Sequence, residues 1–79
     1  MNHHQHTPFY KAAEARYQGQ IEEAKAVIHT YLINPVGIGE HSNLLDEVDK
    51  WVGVLAEATE RLETLRNNFG EGSLSEPRS

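Results

Sequence analysis

Between Leu44 and Phe69, apolar side chains recur alternately four and three residues apart without a break: Leu44, Val48, Trp51, Leu55, Ala58, Leu62, Leu65 and Phe69. That spacing is a heptad seam, with Val48, Leu55, Leu62 and Phe69 in one register and Leu44, Trp51, Ala58 and Leu65 in the other. A helix with a strict seven-residue repeat keeps its stripe against a neighbour only if the two supercoil left-handedly. The segment therefore predicts both a helix, over residues 43 to 68, and a second helix to cover it. Leu45 and Val52 broaden the stripe beyond what one neighbour can bury. Gly53 falls in the middle, where an exposed position tolerates it at a cost of about 1 kcal/mol relative to alanine.

The chain supplies a candidate for the covering helix over residues 8 to 33. Tyr10, Tyr17, Ile21, Ala24, Ile28 and Tyr31 share one face, with Ala13, Val27 and Leu32 beside it. Pro8 suits a first helical turn and Thr7 is an acceptable N-cap. Asn34 precedes Pro35 and so is pushed out of helical geometry, which sets the stop. In "NPVGIGEHSN", Gly37 and Gly39 can take positive φ at little cost. Ser42 or Asn43 then offers a cap, and Asp46 and Glu47 favour the positive end of the next helix. The expected fold is all-α: an antiparallel two-helix hairpin with coiled-coil packing, joined by residues 34 to 42. Residues 1 to 7 form a histidine-rich start, and residues 70 to 79 a Gly/Ser/Pro-rich tail expected to be disordered.

Gly19 raises a rival. "ARYQGQIEEAKAVIHTYLINP" resembles part of a tetratricopeptide repeat, with Tyr17, Gly19, Glu23, Ala24 and Pro35 at family-like places, and Gly19 would then end one helix. Such solenoids need about three stacked units, and nothing after Pro35 repeats the pattern. One unbroken helix is the expectation.

A chain of 79 residues holds one domain. Domains below roughly 70–80 residues usually lean on disulfides, a metal or association. With no cysteine in the sequence, disulfides and thiolate metal sites are excluded, and association is the remaining support. Pairing of two hairpins into a four-helix bundle, a homodimer, is the expected form. Twelve acidic residues against seven basic ones give a formal charge of −5, and the basic ones are scattered. A nucleic-acid partner, which requires a basic stripe, is not expected. No apolar run approaches the ~20 residues of a membrane span and no signal peptide opens the chain, so a soluble cytoplasmic protein is expected.

Chemical motifs are weak. "GIGEHS" follows a helix, lacks the third glycine of a dinucleotide fingerprint and lacks the Gly-Lys-Ser/Thr of a phosphate-binding loop. Glu40 and His41 lack a nucleophile or further partner and read as a solvated loop. His3, His4 and His6 could chelate a transition metal, but a run without an ordered supporting shell resembles an artificial tag more than a site. His29 reads as a boundary residue. No catalytic, cofactor-binding or metal-binding residue is assigned. The residues expected at the core and interface are Tyr17, Ile21, Ala24, Ile28, Tyr31, Leu44, Val48, Trp51, Val52, Leu55, Leu62 and Leu65.

"NPVGIGEHSN" followed by "LAEATERLETL", after an alanine- and glutamate-rich helix, resembles small uncharacterised helical proteins of tailed bacteriophages, including cyanophages. The resemblance spans roughly residues 10 to 66 and carries no activity. It implies a phage-encoded product acting in the host cytoplasm or as a minor virion part. The function expected is a non-catalytic interaction or assembly module, pairing with a second copy or with another phage or host protein. The alternative is a small acidic inhibitor or adaptor for a basic site on a host enzyme or nucleic-acid-binding protein.

Overall fold

The computed structural model describes residues 7–34 and 43–70. It holds two helices of 26 residues each, α1 (Pro8–Ile33) and α2 (Leu44–Phe69), packed as an all-α helical hairpin. At 1.5 Å per residue each is about 39 Å long. The connection from residue 35 to 42, which contains the glycines and the Glu40–His41 pair, lies outside the described residues.

Helix α1 starts where its sequence says. The Thr7 hydroxyl oxygen accepts the Tyr10 backbone N–H at 3.0 Å, and Pro8 occupies the first turn. At the other end the Asn34 backbone N–H donates to the Thr30 carbonyl at 2.8 Å, and the helix stops before Pro35. Gly19 leaves α1 unbroken, so the repeat-like division at that residue does not occur. For α2 the boundaries sit one residue later than expected. Asn43 is the N-cap residue, but in helical geometry and with no side-chain capping bond. The first turn relies instead on Asp46 and Glu47, whose charges favour the positive helix end.

Three tertiary pairs fix the antiparallel register. Tyr31 donates from its hydroxyl to Glu47 Oε1 at 3.2 Å. Arg66 Nε donates to Glu14 Oε2 at 3.0 Å. At the open end of the hairpin, the Tyr10 hydroxyl lies against Gly70. By the same register Tyr17 is level with Leu62, and Ala24 with Leu55.

Burial follows the seam on both helices but remains thin. The buried apolar residues among those described are Tyr10, Ala24, Ala58 and Leu62. Tyr17, Ile21, Ile28, Tyr31, Leu44, Val48, Trp51, Leu55 and Leu65 are half-buried. Two residues depart from the expected arrangement. Phe69, placed on the seam, is 46% exposed. It ends α2, level with the first turn of α1, where little helix remains to cover it. Gly70, assigned to the tail, is buried and caps α2, its N–H bonding the Arg66 carbonyl at 2.9 Å.

The glycines give a direct test of this packing. A Cβ on Gly70 would come within 2.6 Å of the Arg66 carbonyl oxygen and 3.0 Å of the Tyr10 hydroxyl. A Cβ on Gly19 or Gly53 would meet nothing within 4 Å. Gly70→Ala should therefore destabilise by about 1–3 kcal/mol, as overpacking does. Gly19→Ala and Gly53→Ala should each stabilise by about 1 kcal/mol through helix propensity. Urea unfolding of the three variants checks both signs.

Candidate functional site

Two helices form one layer with two broad sides, and the tertiary polar pairs mark which is which. Glu14, in the α1 face, and Arg66, one step beyond the α2 seam, pair on one side. The side chains that follow them along the same heptad positions are Ile21 and Ile28 on α1, and Thr59, Val52 and Leu45 on α2. This side is apolar toward the loop end and polar toward the open end. Leu45 is 76% exposed and Val52 46%, with Leu32, also exposed, beside Ile28. Of the expected interface residues, Val52 is thus the one the hairpin itself leaves in solvent.

The opposite side carries the Tyr31–Glu47 bond and a groove of about 440 Å³ lined by Tyr17, Glu60, Arg61, Thr64, Leu65 and Phe69. The groove is wide open, and its floor is Tyr17 and Leu65, both seam residues left half-covered. In the lining, Arg61 pairs with Glu57 at 3.1 Å on its own helix. Nothing in the lining joins a nucleophile to a base.

Sequence pattern missed Glu14. The seven-residue step from Tyr10 to Tyr17 on α1 skips one seam turn, and Glu14 fills it with a half-buried carboxylate tied to Arg66. The compensating charge lies 52 positions away, so no local periodicity could reveal it. Such a partly exposed pair contributes about 0–1 kcal/mol and chiefly sets register.

Among the described residues no three His, Cys, Asp or Glu side chains cluster to hold a metal ion, and no helix is long and apolar enough to cross a membrane. His29 is exposed on α1. His3, His4, His6 and His41 lie outside the described residues. No family model, curated protein or solved structure matches the chain. The resemblance to phage proteins therefore rests on the quoted residues alone.

The Tyr31 phenol responds to this geometry. Partial burial raises the Tyr31 pKa above its ordinary value, and the Glu47 carboxylate adds to this by its charge and by accepting a hydrogen bond from the phenol. The Trp51 indole N–H acts in the opposite sense. A phenol favoured in its neutral form by folding contributes stability that is complete below the unfolded pKa of about 10. That contribution is lost as pH rises through the higher folded value. Stability should accordingly fall above about pH 10, and Tyr31→Phe should flatten that part of the profile. Denaturant melts from pH 8 to 11 on both chains check it.

Proposed function

We propose that this chain is a non-catalytic assembly module whose exposed apolar sides pair with a second copy, two hairpins making a four-helix bundle. One observation carries the reading: the hairpin encloses too little. Its largest buried side chains are Tyr10 and Leu62, while Leu32, Leu45, Val52 and Phe69 remain 46–76% exposed. Each large apolar side chain gains about 1.5–3 kcal/mol on full burial. A chain of this size without disulfides has few other sources of stability. Half-burial of nine seam residues along both helices fits elements that expect a further layer.

A dimer linked to folding makes stability depend on concentration by mass action. The melting temperature should rise by several degrees between 2 and 200 micromolar chain (about a hundredfold range), and light scattering should return twice the chain mass. Trp51→Ala should lower stability by about 2 kcal/mol or more and shift the association to higher concentration. A chain-mass species with a concentration-independent melt would overturn self-assembly and leave the apolar sides to a different protein. An acidic adaptor would instead show binding to a basic partner that weakens steeply with salt.

A further inference from the structure

The two sides of the hairpin differ in how their flanking charges are arranged, and this difference selects one side and one way of stacking. On the side marked by Glu14 and Arg66, the outer flank of α1 carries Lys11, Gln18, Lys25 and Leu32 at seven-residue intervals. The corresponding flank of α2 carries Asp49, Ala56 and Glu63. One flank is basic and the other acidic, and all seven residues are exposed. Among the described residues, none of these four charged groups takes part in an ion pair. The opposite side shows no such segregation, and Arg61 there is already paired along its own helix.

We propose that two copies pair through the side bearing Ile21, Ile28, Leu45 and Val52, with α1 of each copy lying over α2 of the other and the two-fold axis running parallel to the helices. This rests on the self-assembly reading above and specifies its geometry. Stacking α1 on α1 would set the basic flank of Lys11 and Lys25 against its own copy, and the acidic flank of Asp49 and Glu63 against its own. Like charges brought together at an interface oppose that arrangement, and opposite charges favour the crossed one.

With the axis parallel to the helices, the two copies keep the same height. The apolar loop-end patches then coincide, and every neighbouring helix in the bundle is antiparallel. Lys25 of one copy comes level with Val54 of the other, between Asp49 and Glu63. Each lysine then lies about five residues, roughly 7–8 Å of rise, from an opposing carboxylate, within reach of a lysine side chain. A side about 39 Å long and two helices wide offers on the order of 700 Å² per copy, close to the ~800 Å² per partner of a standard interface.

The absence of native cysteine makes the geometry testable by cross-linking. Lys25 and Ala56 are exposed, so Lys25→Cys and Ala56→Cys single variants should fold, with circular dichroism as the check. In the crossed stack, position 25 of one copy lies within two residues in height of position 56 of the other. Mixed single-cysteine chains, treated with a short bis-maleimide, should move from the one-chain to the two-chain band on a denaturing gel. Each variant alone should stay at one chain, because identical positions lie on opposite flanks of the bundle. Efficient cross-linking of Lys25→Cys to itself, or a light-scattering dimer in which the mixture gives no cross-link, would overturn this stacking while leaving self-assembly intact. A one-chain mass in solution would overturn both.

Discussion

The structure depends on a seam that must be covered and, among the described residues, on one other helix to cover it. Two helices of about 39 Å, meeting along one stripe each, bury side chains only where the stripes touch. At the middle of the contact stand alanines, Ala24 at 0% and Ala58 at 2% exposure. Small side chains there let the backbones approach, while Tyr10, Tyr17, Tyr31 and Trp51 fill the wider spaces toward the ends. The consequence is a core one residue deep. Tyr17, Leu55 and Trp51 each present one flank to their partner helix and the other to solvent.

Polar contacts define the register that the apolar seam alone leaves loose. A heptad seam can slip by a whole repeat and still match apolar to apolar. Tyr31 with Glu47 at one end and Glu14 with Arg66 at the other admit one alignment only. Tyr10 against Gly70 adds a steric stop at the open end, since any side chain larger than hydrogen would strike the Arg66 carbonyl or the phenol. None of these contacts contributes much energy by itself, but together they decide which residues are level with which. That alignment in turn places Lys11 and Lys25 on one flank of a side and Asp49 and Glu63 on the other.

The same one-sidedness underlies the proposed self-assembly. A deeper core would have closed the hairpin and left a conventional polar surface. Instead the uncovered apolar residues fall on both broad sides, and on one of them the charges at the rim are sorted by sign. In the proposed dimer, apolar contact would supply affinity and the rim charges orientation. The groove beside Tyr17 and Leu65 follows from the same shortage of cover and needs no ligand to account for it.

The all-α hairpin was readable from the sequence because its signals are local. The unbroken four-three spacing from Leu44 to Phe69 reports a helix and a partner in one stroke, and Thr7–Pro8 and Asn34–Pro35 mark the limits of α1 through backbone sterics. Other features were decided only by tertiary contact. Glu14 looks like an interruption of the α1 face until Arg66, distant in sequence, is brought beside it. Gly70 looks like the first residue of a tail until the Tyr10 hydroxyl is brought against it. Phe69 satisfies the heptad but has too little helix opposite to be buried, and Val52 and Leu45 satisfy the stripe while the hairpin leaves them in water. Periodicity along one helix specifies which face is apolar. Only the position of the second helix, and where it ends, determines how much of that face is covered.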